Sequence, residues 1–547
     1  MDKSALENTQ HIYDLISLCV ESGVQNVILC PGSRCAPLLL GFGHHPNINV
    51  VSVPDERSGG FIGLGIAQQT NTPVVLICTS GTAAQNFYPS VTEAFYQKNR
   101  LIILTADRPK EWIDQWDGQT IHQEKLYEPH VKKSLSYSDK NLVEIKNVLE
   151  DSNRKPYGPI HINVPIREPF YPRNPDEIKY NSFEIIPSYQ QEVKLSPKDK
   201  MYLINQLQSS EKIMILCGQN KYEPRLIDLL NKIKIPIAGD VISNSHFLEK
   251  SIYLLDSIFK TDDRSLCPDF LITIGQSVIS KNIKIFFRNN KPSFHWHIGI
   301  GKIGDPFESL TKSIQQSPLS FFKEWKSNAF KINDQEKYYN KLLNEQKKES
   351  KRIQSVLSID KYNYFYATKL ILNHLPKDSV LHLGNSMPVR IVNFLGLNDI
   401  NSTVWSNRGT SGIDGVLSTA IGHALSAQKK CHTLLIGDIS FFYDRNAFWI
   451  NHELPKNIRI IVLNDYGGGI FKMIPGPSNQ KKLQTLFTTP HNRTAELTAK
   501  EFDLHYSKAS SKVELENALK DFKPGILEVF TEMNKNKEIF NLITKRG

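Results

Sequence analysis

The chain has 547 residues, too many for one hydrophobic core and enough for about three domains at roughly 150–200 residues each. An apolar fraction of 40% and a charged fraction of 22% exclude a disordered chain, and no run of about 18 uninterrupted apolar residues offers a membrane span. The net charge of +10 is not gathered into a basic stripe with interleaved aromatics, so nucleic acid is not expected as a partner; anionic small substrates or a lysine-rich background explain it as well. Seven Cys are scattered without a Cys-x-x-Cys pair, and the start, Met1-Asp-Lys-Ser-Ala-Leu-Glu7, lacks the basic-then-apolar order of a signal peptide. Both features point to a reducing cytoplasm and against a disulfide framework or zinc site.

The elements in chain order alternate strand and helix signals. Short β-branched runs at Val27–Cys30, Val50–Val53, Val74–Cys78, Leu101–Thr105 and Pro159–Val164 lead into Gly, Ser or Thr and then helical patterns, as in a parallel sheet buried on both faces. A Pro-, Asn- and Ser-rich stretch from Pro165 to about Pro197 reads as a linker. A second set has strands at Lys212–Cys217, Phe270–Ile274 and Phe294–Ile298, and a polar helical stretch around 333–356 closes it. A third set follows from near 360, with strands at Val380–Leu383, Thr403–Ser406, His432–Ile436, Ile458–Leu463 and Gly525–Phe530. The expected architecture is α/β in three domains, 1–185, 186–357 and 358–547, each a mainly parallel sheet flanked by helices.

Chemistry-bearing residues cluster just after the predicted strands, where open α/β sheets bind ligands. Gly437-Asp438 ends one strand, and Asn464-Asp465-Tyr466-Gly467-Gly468-Gly469 ends the next, one strand–helix–strand unit further on. Asp438, Asp465 and the Gly467 carbonyl offer three oxygens to a hard cation, which takes its remaining ligands from phosphate and water; the alternative is an N-capping Asp and a plain glycine loop. Asp55-Glu56-Arg57-Ser58 places a carboxylate at a sheet edge, where burial favours its protonated form, although a capping acid with an Asp–Arg pair fits the same letters. Arg34, Arg108, Arg390 and Arg408 each follow a strand end; planar guanidinium forks there suggest a substrate with several carboxylates. Thr79-Ser80-Gly81-Thr82 opens a helix and suits either an anion, a polar ring or simple capping. Gly299-Ile-Gly-Lys-Ile-Gly304 has dinucleotide-fingerprint letters but no helix pattern after it, and is read as a turn.

Taken together, Pro31–Arg34, Asp55–Ser58, Thr79–Ala83, Leu104–Pro109, Gly118–Ile121, Ser406–Gly415, Gly437-Asp438 and Gly467–Phe471 resemble one family, the 2-succinyl-5-enolpyruvyl-6-hydroxy-3-cyclohexene-1-carboxylate synthases of menaquinone synthesis. The resemblance spans both outer domains and is weak in the middle one. It implies a pyrimidine-binding domain first and a diphosphate-binding domain last. Thiamine diphosphate would be held between the first domain of one subunit and the third of another, in a homodimer or dimer of dimers. It implies decarboxylation of 2-oxoglutarate and addition of the resulting succinic semialdehyde carbanion equivalent to isochorismate. Glu56 would hydrogen-bond the aminopyrimidine and promote proton transfer; Ser80 and Ile470 would line the cofactor, and Ile413 would be the apolar wedge that bends it. Asp438, Asp465 and Gly467 would hold Mg2+ (or Mn2+). Ser33, Arg34, Arg108, Gln119, Lys281, Ser386, Arg390 and Arg408 would position the substrates, with Ser33, Arg34 and Gln119 at the reacting centre. Ile470, Phe471 and Ile474 would form an apolar wall against water.

Two positions depart from the family pattern. Asp465 stands where the family usually has Asn, which adds negative charge beside the diphosphate and is expected to alter metal choice or affinity. Asn282 follows Lys281 where relatives carry a Lys-Arg pair, so one carboxylate contact is expected to be weaker. Another thiamine-dependent 2-oxoacid decarboxylase, an acetolactate synthase-like carboligase, or a cofactor-binding protein without catalysis are the competing expectations.

Overall fold

The computed structural model describes residues 3–171, 178–185, 193–328, 330–359, 361–450, 453–474 and 476–545. Three sheets are present. The first holds β1 (Asn26–Leu29), β2 (Asn49–Ser52), β3 (Val74–Cys78), β4 (Leu101–Asp107), β5 (Ser134–Ser136) and β6 (Ile160–Pro165) in the order β2-β1-β3-β4-β6-β5. The second holds β7 (Ile213–Cys217), β8 (Ile237–Gly239), β9 (Phe270–Ile274), β10 (Phe294–Ile298) and β11 (Lys312–Ile314) in the order β11-β10-β9-β7-β8. The third holds β12 (Ser379–Leu383), β13 (Ser402–Trp405), β14 (His432–Gly437), β15 (Ile458–Asn464), β16 (Tyr506–Ala509) and β17 (Gly525–Phe530) in the order β13-β12-β14-β15-β17-β16. Pairing is parallel in each sheet. The central strands β3, β4, β7, β9 and β15 are buried along their whole length, which explains why they read as continuous apolar runs instead of alternating ones.

Every strand expected from the sequence is present within one or two residues. The four that escaped, β5, β8, β11 and β16, are three or four residues long and lie at sheet edges. Too short to show a period, they carry no sequence signal of their own. Gly299–Gly304 is a loop after β10 with no helix opening behind it. Of the stretch from Pro165 to Pro197, residues 172–177 and 186–192 lie outside the described residues; the described remainder after β6 has neither helix nor strand until the helix Pro197–Ser209. All seven cysteines are free thiols, and among the described residues no helix is long and apolar enough to cross a membrane.

The chain packs as two compact units. The first comprises Met1–Gln190 with Asn407–Lys430 and Ser440–Ile458; the second comprises Gln191–Ser406, Cys431–Ile439 and Arg459–Gly547. In the second unit one apolar core is continuous across two sheets, joining Leu216 and Phe286 to Leu381, Leu435 and Leu527. Trp296, Phe270 and Phe322 pack in a separate core with the second sheet's other face.

In the first unit, the helix Glu56–Thr70 lies against the helix Val416–Ser426. The approach is backbone to backbone. A Cβ on Gly65 would come 2.1 Å from the Thr419 carbonyl oxygen, and one on Gly422 would come 2.1 Å from that of Ile62. His423 seals the pair through Gln68 Oε1 at 2.9 Å and Gln69 Oε1 at 3.2 Å. At the start of the second helix, the buried Asp444 carboxylate accepts both the Ser418 N–H and the Ser418 hydroxyl at 2.8 Å. Gly65→Val should destabilise the protein by at least about 1–3 kcal/mol, the usual cost of overpacking, because backbone cannot yield as a side chain can; an unchanged urea midpoint would refute this account of the contact.

Burial pushes the Asp444 carboxyl up to about 7. The folded chain therefore keeps a proton that the unfolded chain releases near the ordinary aspartate value of about 3.9. Stability contributed by this group is complete below about pH 4, falls as pH rises to about 7 and is level beyond. Asp465, also raised to about 7, adds a slope of the same sign. Asp444→Asn should thus remove about half of the decline these two groups cause between pH 4 and 7, as read from urea midpoints across that range; a slope identical to wild type would contradict it.

Candidate active site

In the first unit, the candidate residues gather at the carboxyl ends of neighbouring strands. Arg34 follows β1 and is buried. Its Nη1 donates to the Ile166 carbonyl at 2.9 Å, its guanidinium sits 4.5 Å from the Phe170 ring centroid and 5.5 Å from that of Trp112, and Glu168 approaches it at 3.6 Å. Its Nε is buried and has no hydrogen-bond partner among the described residues, a donor left for a ligand. Burial first, and the charge of Arg108 second, lower the Arg34 pKa; two guanidiniums close enough to repel make a site that favours an anion. Arg108, after β4, donates to Ser80 Oγ at 3.0 Å and to the Gly118 carbonyl at 2.9 Å. One side chain thereby ties the loop after β3 to the Gly118–Gln119 turn. Gln119 is exposed with φ of 60°, and Ser33 is exposed beside Arg34 in sequence.

Glu56 begins its helix after β2. Asp55 is the cap, accepting the Arg57 and Ser58 N–H groups, so the capping role falls to Asp55 and leaves the Glu56 carboxylate available. Asn86 Nδ2 donates to Glu56 at 3.3 Å, and burial raises the Glu56 pKa above the ordinary carboxylate value. A half-buried acid raised in this way is suited to holding or passing a proton. Flanking residues fix the helix start: Asp55 accepts from Asn446 Nδ2 at 2.9 Å, and Arg57 donates to the Tyr443 carbonyl at 2.9 Å while covering the Tyr443 ring. Arg408 and Ile413 lie on the segment between β13 and the helix Val416–Ser426. Ile413 is 37% exposed, an apolar side chain presented for contact, and its carbonyl accepts the Ser440 hydroxyl.

In the second unit, Asp438 follows β14 and Asp465 follows β15, both buried. Asp438 accepts the Ile439 N–H at 2.7 Å and the Gly467 N–H at 3.0 Å, and His491 Nε2 lies 3.2 Å from its Oδ2. Asp465 receives Asn536 Nδ2 at 3.4 Å; burial, then the charge of Asp438, pushes its pKa up to about 7. Two buried carboxylates, one of them raised by burial and by the charge of the other, are a ready site for a divalent cation. Gly467 must be glycine: a Cβ there would come 2.7 Å from the Thr488 carbonyl oxygen. Its own carbonyl accepts the Gly469 N–H at 3.0 Å, leaving a second lone pair. Among the described residues, no group of three or more His, Cys, Asp or Glu forms a metal cage, so an ion here must complete its shell from phosphate and water. That donor set fits Mg2+ or Mn2+ better than zinc.

Also in the second unit, Ser386 has φ of 70° and its carbonyl accepts Arg390 Nη1 at 2.6 Å. Burial lowers the Arg390 pKa and Asp256 opposes the shift. Asn282 is turned onto Asp256, donating its backbone N–H to the side chain at 3.0 Å and its amide to the carbonyl at 2.7 Å, whereas Lys281 is exposed. Ile470, Phe471 and Ile474 are half-buried around the short helix Ile470–Met473, with Phe471 against Phe487 at 5.8 Å.

The sequence reading missed the residues that hold these groups in place. Gln123 is fully buried, accepts the Gly81 N–H at 2.8 Å and donates to the Ala106 carbonyl and to Asn163, thereby joining the loop after β3 to β4 and β6. Asn163 in turn donates to Asp107 at 2.8 Å. Glu93, Asp444 and Asn446 act likewise. Their one sequence signal is a polar residue inside an apolar pattern, as in Val91-Thr-Glu-Ala-Phe95, and that signal names no partner.

Comparison with known proteins adds the family. A model of the thiamine pyrophosphate enzyme N-terminal TPP-binding domain matches residues 12–126. Proteins named 2-succinyl-5-enolpyruvyl-6-hydroxy-3-cyclohexene-1-carboxylate synthase are similar along almost the whole chain. That of Cytophaga hutchinsonii is 40% identical over 98% of each chain, and that of Flavobacterium psychrophilum 38% identical over 95% of this chain and 96% of its own. That of Christiangramia forsetii is 35% identical over 96% of each. Similarity of this depth along almost the whole chain means that the chain belongs to the 2-succinyl-5-enolpyruvyl-6-hydroxy-3-cyclohexene-1-carboxylate synthase family of thiamine diphosphate-dependent enzymes.

Proposed function

We propose that the protein decarboxylates 2-oxoglutarate and adds the remaining four-carbon unit to isochorismate, giving 2-succinyl-5-enolpyruvyl-6-hydroxy-3-cyclohexene-1-carboxylate and CO2 in menaquinone synthesis. The observation that supports this best is the sheet edge in the first unit, where a half-buried acid, Glu56, shares the strand ends with Arg34 and Arg108. A simple oxoacid decarboxylase has no need of that arginine set.

When bound, thiamine diphosphate supplies the electron sink that lets a 2-oxoacid lose CO2 and its carbonyl carbon join an acceptor. Glu56 would hold a proton at the aminopyrimidine, and a carboxyl raised above its ordinary range by burial is suited to giving and regaining it. Ile413 would support the cofactor rings, and Ser80 and Ile470 would line the cofactor. Asp438, Asp465 and the Gly467 carbonyl would hold the Mg2+ or Mn2+ that the diphosphate requires. Ser33, Arg34, Arg108, Gln119, Lys281, Ser386, Arg390 and Arg408 receive the substrate carboxylates and hydroxyl. Ile470, Phe471 and Ile474 keep water from the reacting centre. In this reading residues 1–185 bind the pyrimidine, 186–357 form a central domain and 358–547 bind the diphosphate. The working unit is a cytoplasmic homodimer or dimer of dimers.

A carboligation assay with both substrates, cofactor and Mg2+ tests the reading. Turnover of 2-oxoglutarate at the full rate without isochorismate would instead identify a decarboxylase. Glu56→Gln should lower kcat by about 10²–10⁴-fold, the usual worth of a proton-transferring side chain, with thiamine diphosphate still bound; undiminished turnover removes Glu56 from the mechanism. Asp465→Asn should shift the Mg2+ dependence of cofactor binding, since it takes one negative charge from the ion's ligands. Superimposable titration curves would show that the carboxylate at 465 has no part in holding the ion.

A further inference from the structure

The segment Asn407–Gly415 carries two residues with separate duties, Arg408 for substrate and Ile413 for cofactor, and it is anchored separately near each. Near Ile413 the anchor is the Ser440 hydroxyl, which donates to the Ile413 carbonyl. Near Arg408 the anchor is Glu93, buried on the helix Tyr88–Gln97. Its Oε1 accepts the Gly409 N–H at 2.8 Å; its Oε2 accepts both the Thr410 N–H and the Thr410 hydroxyl at 2.6 Å. Gln97 donates to the same carboxylate. The strap also lies on the Glu93 backbone, since a Cβ on Gly409 would come 2.8 Å from the Glu93 carbonyl oxygen.

We propose that Glu93 is a positioning residue for substrate recognition: it fixes the Arg408-Gly409-Thr410 turn and through it aims Arg408 at a substrate carboxylate, independently of the cofactor-facing end of the strap. The chemistry requires an ionised carboxylate. Both oxygens must accept, because consecutive backbone N–H groups face them, and charge-assisted acceptance is about twice as strong as neutral. In Glu93→Gln one oxygen becomes an amide NH2, and a strap N–H or hydroxyl then meets another donor in a buried place. A loosened Arg408 still carries its charge but no longer presents a fixed fork, so substrate capture suffers while cofactor binding does not.

This inference rests on the reading of Arg408 as a substrate-binding residue, and a double-mutant cycle separates the two. Glu93→Gln, Arg408→Ala and the double variant are compared in the carboligation assay, with thiamine diphosphate affinity measured by titration. Glu93→Gln is expected to raise KM about tenfold for at least one of the two carboxylate substrates, with cofactor affinity within about twofold of wild type. The double variant should be no worse than Arg408→Ala alone. Equal and additive effects would show that Glu93 does not act through Arg408 and overturn the proposal while leaving the site reading intact. An Arg408→Ala enzyme with wild-type KM for both substrates would remove Arg408 from the site, and the proposal with it. Gly409→Ala approaches the contact from the other side and should reproduce the KM change without altering Glu93; wild-type KM values there would equally overturn the proposal.

Discussion

The close approach of two helices, Glu56–Thr70 and Val416–Ser426, is the constraint on which the first unit depends. It is possible only because Gly65 and Gly422 have no side chain where each meets the other helix's carbonyl. Without it, a segment more than three hundred residues away in sequence would have no reason to lie beside Glu56. With it, the chain pays once in glycine entropy and obtains a rigid platform from which the 407–415 strap and the helical segment 440–446 are hung. Ser418 donates to Asp444, Asn446 to Asp55 and Arg57 to the Tyr443 carbonyl as consequences of that one packing contact.

The two units solve opposite electrostatic problems. In the first, cations are gathered: Arg34 and Arg108 share the strand ends of one sheet, and burial and the charge of Arg108 lower the Arg34 pKa against the opposing pull of Glu168, Asp107 and Asp117. In the second, anions are gathered: Asp438 and Asp465 are both buried, and burial with the charge of Asp438 makes ionising Asp465 harder. Neither arrangement stabilises the protein by itself, and both fit a site that stores unfavourable energy until a ligand of opposite charge relieves it. The buried network of Gln123, Asn163 and Asp107 serves a different purpose. It is well supplied with partners, and it stiffens the loop that Arg108 and Ser80 share.

Much of this was legible in the sequence because parallel sheets announce themselves. A fully buried strand such as Ile458–Asn464 must be apolar on both faces, and its end must hand over to a loop. Residues of strong chemistry at those ends, Glu56, Arg108, Asp438 and Asp465, could therefore be picked out before any coordinates. Position after a strand does not by itself rank Asp55 against Glu56, and the family resemblance is what singles out Glu56; the structure gives the cap to Asp55. What stayed hidden depends on long-range partners. Glu93 reads as an ordinary helix acid until Gly409 and Thr410 arrive, and Asp444 as a surface acid until Ser418 does. The short strands β5, β8, β11 and β16 were missed because they are defined by the neighbour they hydrogen-bond, with too few residues to reveal a pattern.

Those short strands have a further effect. All six sheet margins, β2 and β5, β11 and β8, β13 and β16, are only three or four residues long. A margin so brief exposes few unpaired amides and gives an incoming extended peptide almost nothing to zip onto. Self-association by strand addition is thereby discouraged on every side. Any stable assembly of this chain has to be built from side-chain surfaces of helices and loops, which can be made selective for one partner in a way that a bare ladder of backbone groups cannot.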